Sequence, residues 1–298
     1  MTAQMITATS AGTWQLGDRT VNRLGFGAMR LTSNADGAAS DRDGAVTVLR
    51  RAVELGVNHI DTAAFYFSPL RSANELINRA LYPYPEDLVI TTKVGPGRDP
   101  SGNWLPAARP EQLRGQVEEN LRQLGRDHLD VVNLRIGANL RRGSESIAER
   151  FGALAELRDA GLIRHLGISN VAPEHLAEAQ AIAPVVCVQN QYGLGVHPED
   201  DELLRVCGEQ GVAFVPFFAI AGSPGGGSVG DDRVAEVARA HDATPAQVRL
   251  AWSLHRGSHV LAIPGTGNPD HLTENVAAGA LRLTPDELAI LDAVHVAG

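Results

Sequence analysis

The feature that most constrains the fold is a unit that recurs along the chain: an amphipathic helix, then a glycine, then a short apolar strand. One copy has its apolar helical stripe within 45–53, its glycine at Gly56 and its strand at Val57–Asp61. A second copy places Gly161 before the strand His165–Ser169. A glycine directly after an apolar helical stripe is typical of a helix C terminus. Strands that alternate with helices form a parallel sheet, so the chain is predicted to be α/β.

Eight strand candidates follow one another along the chain. They lie at Leu24–Ala28, Val57–Asp61, Leu88–Lys93, Leu129–Arg135, His165–Ser169, Val185–Gln189, Val212–Phe217 and Val260–Ile263. Before them, Thr13–Leu16 and Arg19–Asn22 flank Gly17-Asp18 and predict a β-hairpin at one end of the sheet. A doubly wound sheet would need an early glycine-rich strand-to-helix turn, which the sequence lacks. We therefore predict a (β/α)8 TIM barrel with an N-terminal β-hairpin, as a single domain over residues 1–298.

Composition argues against several classes of function. The net charge is -9 and 20% of the residues are charged, which does not favour binding to nucleic acid or to an anionic membrane. No apolar run approaches the roughly 20 residues that span a bilayer, and the first residues lack the pattern of a secretory signal. Cys187 and Cys207 lack metal-ligand spacing and are expected to be reduced thiols. We expect a cytoplasmic protein without a metal ion, present as a monomer or weak homo-oligomer.

Lysine occurs once in the chain, at Lys93, although lysine and arginine together number 26. A preference for arginine on surfaces explains the other positions but not this one. An ammonium group is compact and its pKa responds to its surroundings, whereas a guanidinium stays protonated. Lys93 is therefore a candidate functional residue before any motif is considered, with chance retention as the alternative.

Polar and aromatic side chains cluster where the predicted strands end. The residues at these ends are Asp61, Lys93, Arg135, Ser169, Asn170, Gln189 and Phe217. Tyr66 follows Asp61 on the loop above the same face, which is where the active sites of (β/α)8 barrels are built. Taken singly, Asp61 can be a helix cap, Lys93 a solvated charge and Tyr66 a packed loop residue. Their joint occurrence at one rim favours a functional site.

Several segments resemble the signature segments of the aldo-keto reductases. In chain order they are HIDTAAFY, TTKVG, HLGISN, VQNQY and IPGTGNPDHLTEN, and the resemblance runs from the N-terminal hairpin to the last helix. The variants NLR, FVPFF and IPGT are similar to the branch of this family that contains bacterial pyridoxal reductases. The resemblance implies NADPH-dependent reduction of a small aldehyde or ketone to an alcohol.

The resemblance gives catalytic roles to Tyr66, Lys93, Asp61 and Arg135. Adding hydride to a carbonyl builds an alkoxide, which must be protonated from within hydrogen-bond reach. A phenol has a pKa of about 10 in water, and a neighbouring ammonium lowers it. Tyr66 is thus predicted to be the general acid, with Lys93 as the ammonium and Asp61 as its counter-ion. Arg135 stands where most family members have a histidine that orients the carbonyl.

The resemblance also implies a set of cofactor-binding residues. They are Gly27, Met29, Asp61, Ser169, Asn170, Gln189 and Phe217 for the nicotinamide half, and Gly222, Gly265, Thr266, His271, Glu274 and Asn275 for the remainder. Gly265 replaces a lysine and His271 an arginine that commonly hold the 2′-phosphate, which weakens the preference for NADPH over NADH. The loop residues Arg30, Arg98, Trp104 and Arg141 are candidate substrate contacts.

Two other functions remain open. Lys93 can instead be the Schiff-base residue of a class I aldolase, which explains the lone lysine but leaves Tyr66 and Asn170 without roles. The barrel can also bind a nucleotide as the regulatory subunit of a partner. The presence of Asp61, Tyr66 and Lys93 together favours catalysis over sensing.

Overall fold

The computed structural model describes residues 6–33, 40–137, 142–220 and 230–297, which form a curled sheet with helices between its strands. The strands are β1 (Thr13–Leu16), β2 (Arg19–Asn22), β3 (Phe26–Gly27), β4 (His59–Asp61), β5 (Phe67–Ser68), β6 (Arg71–Ser72), β7 (Val89–Val94), β8 (Leu129–Arg135), β9 (Ile163–Ser169), β10 (Val185–Gln189) and β11 (Ala213–Phe214). The α-helices are α1 (Arg42–Glu54), α2 (Ala73–Leu81), α3 (Pro110–Leu124), α4 (Ala148–Asp159), α5 (Pro173–Gln180), α6 (Asp201–Glu209), α7 (Asp231–Ala240), α8 (Pro245–His255), α9 (Pro269–Ala277) and α10 (Pro285–Ala297). Over these described ranges, no helix has the length and apolarity needed to cross a membrane.

The main sheet has seven strands in the order β3-β4-β7-β8-β9-β10-β11, and every neighbouring pair is parallel. Two single bridges close it: Val260 pairs with Phe214 of β11, and Ala262 pairs with Leu24 just before β3. The predicted (β/α)8 barrel is confirmed. The predicted N-terminal hairpin is confirmed as well, because β1 and β2 pair antiparallel.

The last two predicted barrel strands are shorter than the sequence pattern indicates. The segment Val260–Ile263 makes the two closing bridges but no continuous strand, and Val212–Phe217 is reduced to the two residues of β11. Proline has no N–H to donate to a ladder, so it interrupts strand pairing. Pro216 lies inside the segment Val212–Phe217, and beyond it Phe217 pairs only through a single bridge with Gln191.

Local sequence determines where the helices begin and end. Helices α3, α8 and α10 begin at Pro110, Pro245 and Pro285, where the missing N–H would have had no helical partner. Gly56 and Gly161, the predicted helix-ending glycines, have φ angles of +83° and +82°. Because glycine adopts this left-handed conformation without strain, each preceding helix can stop abruptly and deliver the next strand to the sheet.

The hairpin fills the end of the barrel where the strands begin. Its side chains Leu16 and Val21 belong to a buried apolar cluster with Val89, Val131 and Leu261 from the barrel interior. Val89 is the first residue of β7, so this cluster lies at the amino ends of the strands. The carboxyl ends, where the polar residues lie, are therefore at the opposite opening.

Candidate active site

Five polar side chains lie at the carboxyl ends of barrel strands. Asp61, Arg135, Ser169 and Gln189 are the last residues of their strands, and Lys93 is the last but one of β7. In the sheet register, Arg135 is opposite Ser169, and Ser169 is opposite Gln189. The structure therefore brings these residues to one opening of the barrel. Within the described ranges, no group of His, Cys, Asp and Glu side chains is arranged to hold a metal ion.

Lys93 and Asp61 form a buried ion pair. Lys93 Nζ lies 2.6 Å from Asp61 Oδ1, and the two residues are only 2% and 3% exposed. Nζ also donates to the carbonyl oxygen of Thr62 at 3.0 Å, and Asp61 Oδ2 accepts from Gln189 Nε2 at 2.8 Å. Buried charges are tolerated when they are paired and hydrogen-bonded, as these are. The lone lysine is thus held in one position.

The surroundings of Lys93 favour its charged form. Burial alone would lower the pKa of its amine, but the attraction of Asp61 and then of Tyr66 outweighs it, so the pKa of Lys93 lies above its usual value. Nζ lies 4.8 Å from the centroid of the Tyr66 ring. A Schiff-base lysine has to lose its proton to attack a carbonyl, so this environment disfavours the aldolase alternative.

Tyr66 is presented on the loop that follows β4. Its N–H donates to the Ala63 carbonyl at 3.0 Å, and its own carbonyl accepts from the N–H of Ala73 at 2.9 Å. The ring is half-buried and packs edge-on against Phe65, with 5.2 Å between the ring centroids. A partly exposed phenol beside a buried ammonium can reach a substrate and still interact with that charge.

Arg135 links the catalytic residues to the predicted nicotinamide site. Its Nη1 donates to Ser169 Oγ at 3.4 Å, and its Cζ lies 5.1 Å from the centroid of the Phe217 ring. Burial holds the pKa of the Arg135 guanidinium below its usual value, and the nearby Tyr66 and Asp61 offset only part of this effect. An arginine nevertheless remains protonated in proteins. Arg135 is therefore a permanent cation near Tyr66, where its N–H groups can orient a carbonyl oxygen.

Asn170 and Gln189 are tied into the barrel by their own hydrogen bonds. Asn170 has φ +62° and donates from its N–H to the Gln189 carbonyl at 2.9 Å and from Nδ2 to the Ile136 carbonyl at 2.8 Å. Asparagine adopts this left-handed conformation more readily than most residues. Gln189 donates to Asp61 and accepts from Asn133 Nδ2 at 3.4 Å. No role is predicted for Asn133 from the sequence, although it begins the NLR segment and is a polar residue inside an apolar strand.

The backbones of Gly27 and Gly265 lie against each other. A Cβ at Gly265 would overlap the carbonyl oxygen of Gly27, whose N–H donates to the Pro264 carbonyl at 3.2 Å. The lysine that is common at this position in the aldo-keto reductases therefore does not fit here without a backbone shift. Met29 lies two residues after Gly27 and is half-buried within the 3-10 helix Ala28–Leu31.

The predicted adenosine residues lie around the beginning of α9. Asn268 caps this helix by accepting from the Asp270 N–H at 2.8 Å, and the Asn268 N–H donates to Thr266 Oγ1 at 3.0 Å. The remaining predicted residues of this group lie on α9: exposed His271, exposed Glu274 and buried Asn275. Two N–H groups at the helix N terminus thus already have acceptors.

Arg30, another predicted site residue, lies at the edge of this region. Gly222 and Arg141, which are also predicted site residues, fall outside the residues that the structure describes. Arg30 is exposed on the 3-10 helix Ala28–Leu31. Its carbonyl oxygen lies close to Gly267, 3.7 Å from the place that a Cβ on this glycine would occupy. Arg30 is therefore beside the segment that carries Thr266, on the predicted cofactor side of the opening.

Trp104 extends a row of aromatic rings that begins at Tyr66. Its ring centroid lies 5.7 Å from that of Phe65, and Arg98 Cζ lies 5.5 Å from the Trp104 ring. Arg98 donates to the carbonyls of Phe67 at 3.1 Å and Gly102 at 2.8 Å. These bonds join the two loops that carry Tyr66 and Trp104. They give Arg98 a supporting role, and its predicted contact with the substrate stays a prediction.

Comparison with known proteins decides the family. A model of the aldo/keto reductase family matches residues 23–296, which is almost the whole chain. The chain belongs to the aldo/keto reductase family. The resemblance that its motifs predict is confirmed, and with it the assignment of this aldo/keto reductase as an oxidoreductase.

Three similar proteins agree with this assignment. The chain is 45% identical to pyridoxine 4-dehydrogenase of Escherichia coli, over 96% of this chain and 99% of that protein. A thermostable aldo-keto reductase solved with the inhibitor epalrestat has a TM-score of 0.79 and 30% identity, covering 95% of this chain and 99% of that one. An aldo/keto reductase from Klebsiella pneumoniae, solved with NADP and acetate, has a TM-score of 0.78 and 26% identity, covering 95% of both chains.

Proposed function

We propose that this aldo/keto reductase uses NADPH to reduce a small aldehyde or ketone to an alcohol, with Tyr66 as the proton donor. The observation that carries the proposal is the buried pair of Lys93 and Asp61 beside a half-buried Tyr66, at the carboxyl ends of the barrel strands. The Klebsiella neighbour was solved with NADP, which supports the same cofactor here.

The residues at the barrel opening suit a nicotinamide nucleotide. Phe217 offers an aromatic ring for stacking, and Arg135 contacts both this ring and the buried Ser169. Ser169 and Asn170 would hold the carboxamide, and Thr266 would contact the adenosine end. When bound, NADPH supplies the hydride that reduces the carbonyl carbon.

The protein's own side chains handle the proton. The Tyr66 hydroxyl donates its proton to the alkoxide oxygen, and the phenolate that remains is stabilised by the Lys93 ammonium. Asp61 holds that ammonium at 2.6 Å and keeps it charged. In alcohol oxidation the same phenolate accepts the proton. A positioned acid of this kind contributes about 10²–10⁴ to the rate.

We propose a compact aromatic aldehyde such as pyridoxal as the preferred substrate. The Escherichia coli relative is named for pyridoxine, which supports this substrate class. The rings of Trp104, Phe65 and Tyr66 follow one another at 5.7 Å and 5.2 Å, so a flat aromatic substrate can pack against them. Arg135 can donate to the carbonyl oxygen or to a ring substituent beside it.

Arg135→Met is expected to lower kcat/KM for pyridoxal by roughly tenfold to a hundredfold. Leaving a buried polar substrate group without its partner costs about 1–3 kcal/mol, and about 1.4 kcal/mol is tenfold in rate. The Kd for NADPH should barely change. Arg205→Met is the matched control, because Arg205 lies on the surface, where it pairs with Glu202 and Glu209. An unchanged kcat/KM in Arg135→Met would remove Arg135 from substrate recognition.

A cofactor titration followed by a carbonyl panel tests the proposed function. NADPH binding is measured by fluorescence, and pyridoxal, benzaldehyde and 2-butanone are then compared by kcat/KM. We expect the highest value for pyridoxal. Inert pyridoxal with good turnover of 2-butanone would contradict the substrate class but not the reductase. Tight NADPH binding with no turnover of any carbonyl would instead favour the nucleotide-sensing alternative.

NADPH is expected to bind more tightly than NADH by about tenfold. Its 2′-phosphate would lie near Thr266 and His271 at the beginning of α9, where the helix dipole favours an anion. The preference is modest because Gly265 has no side chain and the N–H groups of Asn268 and Asp270 already have acceptors. Calorimetric titration with each cofactor measures the two values, and equal dissociation constants would contradict this placement of the 2′-phosphate.

We also propose that the protein is cytoplasmic and is a monomer or weak homo-oligomer. Cys187 and Cys207 are buried thiols without a disulfide, and burial raises the pKa of each to about 12. Unreactive reduced thiols of this kind are consistent with a reducing compartment. Light scattering at several protein concentrations measures the mass in solution.

A further inference from the structure

Three amide residues near the ion pair are joined by hydrogen bonds: Asn74 on α2, and Gln116 and Asn120 on α3. Asn74 and Asn120 bond through their side chains, and Asn120 bonds the main-chain carbonyl of Gln116. We call the three residues the amide ladder. Asn74 and Asn120 have no exposed surface. An amphipathic helix normally turns apolar residues toward the core, and burying an amide is unfavourable unless its hydrogen bonds are made. The positions of these residues therefore require an explanation.

The ladder's own hydrogen bonds join the two helices to each other and to a loop. Asn74 Nδ2 donates to Asn120 Oδ1 at 2.9 Å, and Asn120 Nδ2 donates to the Gln116 carbonyl at 2.9 Å. Gln116 Oε1 accepts from the Gly95 N–H at 2.7 Å, and its Nε2 donates to the Pro96 carbonyl at 3.2 Å. The ladder thus reaches the residues that directly follow β7.

Two threonine hydroxyls connect the ladder to the barrel. Thr62 Oγ1 donates to Asn74 Oδ1 at 2.8 Å, and Thr92 Oγ1 donates to Asn120 Oδ1 at 2.6 Å. Both threonines are fully buried. Thr62 directly follows Asp61 and Thr92 directly precedes Lys93. The ladder is therefore bonded to the residues next to both members of the buried ion pair.

Thr62 is hydrogen-bonded both to the ladder and to the Lys93 ammonium. Its carbonyl accepts from Lys93 Nζ at 3.0 Å, and its N–H donates to the Thr91 carbonyl at 2.8 Å. The bond to Asn74 fixes the side chain of the same residue. Without that bond, the peptide unit after Thr62 is held less firmly, and its carbonyl can turn away from Lys93.

We propose that the amide ladder, acting through Thr62, positions the Lys93 ammonium for proton transfer, which makes Asn74 and Thr62 positioning residues of the reaction. The proposal rests on the catalytic role proposed above for Lys93. The position of the ammonium can nevertheless be measured without substrate or cofactor. Failure of the ladder and failure of the proposed function are therefore distinguishable.

The lone lysine makes the measurement specific. Because Lys93 is the only lysine in the chain, protein labelled with [15Nζ]lysine has one side-chain ammonium resonance. Thr62→Val removes the hydroxyl at nearly constant volume, and Thr62→Ser retains it. Ile77→Ala is the matched control, because Ile77 is a fully buried residue of α2 with no polar side-chain atom. It loosens the same helix and leaves the ladder's hydrogen bonds in place.

In Thr62→Val we expect the Nζ resonance to move and its protons to exchange faster with water. We also expect kcat for the best aldehyde of the panel to fall about tenfold, which corresponds to about 1.4 kcal/mol, and the pH profile of kcat to shift. Thr62→Ser should stay within about twofold of wild type. Ile77→Ala should lower Tm while the resonance and the pH profile stay unchanged.

A wild-type resonance and pH profile in Thr62→Val would overturn the proposal. The same changes in Ile77→Ala would also overturn it, because the ladder would then serve only to hold α2. If Thr62→Val does not fold, Asn74→Ala removes the acceptor of the Thr62 hydroxyl and is judged by the same criteria. A moved resonance with unchanged kcat would support the positioning of the ammonium and contradict the catalytic role of Lys93.

Discussion

Replacing Tyr66 with phenylalanine is expected to lower kcat for aldehyde reduction by roughly a thousandfold or more, within the range that positioned acids contribute. The change removes one hydroxyl and keeps the ring, whose centroid packs 5.2 Å from that of Phe65. The loop should therefore retain its structure, and the Kd for NADPH should stay close to that of wild type. Steady-state kinetics and a fluorescence titration on the same preparation measure the two quantities.

Tyr84→Phe is the matched control for the loss of a tyrosine hydroxyl. Tyr84 lies before β7, and its hydroxyl donates to the Leu124 carbonyl at 2.6 Å. Arg126 Cζ lies over the Tyr84 ring, 4.4 Å from the ring centroid. We expect a normal kcat and a loss of about 1 kcal/mol in the free energy of unfolding. A Tyr66→Phe protein that works at the wild-type rate would show that the proton comes from another group.

Lys93→Arg is expected to lower kcat/KM by about a hundredfold or more, although it conserves the charge. Nζ sits in a buried space between the Asp61 carboxylate and the Thr62 carbonyl, at 2.6 Å and 3.0 Å. A planar, larger guanidinium cannot keep both bonds and the same distance from Tyr66. The measurement is kcat/KM across pH, together with thermal unfolding of each variant.

A second variant separates the loss of catalysis from the loss of folding. Lys93→Met leaves Asp61 buried without its cation, which costs about 3–5 kcal/mol of stability. Asp61→Asn in the same chain removes the uncompensated charge, so the double variant should be more stable than the sum of the single changes predicts. Wild-type activity and pH profile in Lys93→Arg would mean that Lys93 acts only as a generic positive charge.

The location of the site was predictable because strand geometry is regular. Successive side chains alternate between the two faces of a strand, and parallel strands of a barrel end at one opening. These two rules place Asp61, Lys93 and Gln189 together without any structure. They do not say which atoms bond. Barrel curvature brings Gln189 across to Asp61, from a part of the chain 128 residues away, and no local pattern encodes that contact.

The supporting residues were not predictable for the same physical reason. Asn74 and Asn120 lie in amphipathic helices, where a polar residue usually indicates an exposed position, yet both are buried. They share one hydrogen bond, and their other bonds are made with Thr62, Thr92 and the main-chain carbonyl of Gln116. The sequence predicts Arg98 only as a loop residue that contacts substrate, and no local pattern shows that the carbonyls of Phe67 and Gly102 lie within reach of its N–H groups. Such pairings depend on tertiary distances.

A single-turnover experiment tests the role of Tyr66 most directly. Enzyme with bound NADPH is mixed with the best aldehyde of the panel, and the loss of reduced-cofactor absorbance is followed for wild type and Tyr66→Phe at equal cofactor occupancy. We predict a rate constant at least roughly a thousandfold lower in Tyr66→Phe, and wild-type behaviour in Tyr84→Phe. Equal rate constants in wild type and Tyr66→Phe would contradict the assignment of Tyr66 as the proton donor.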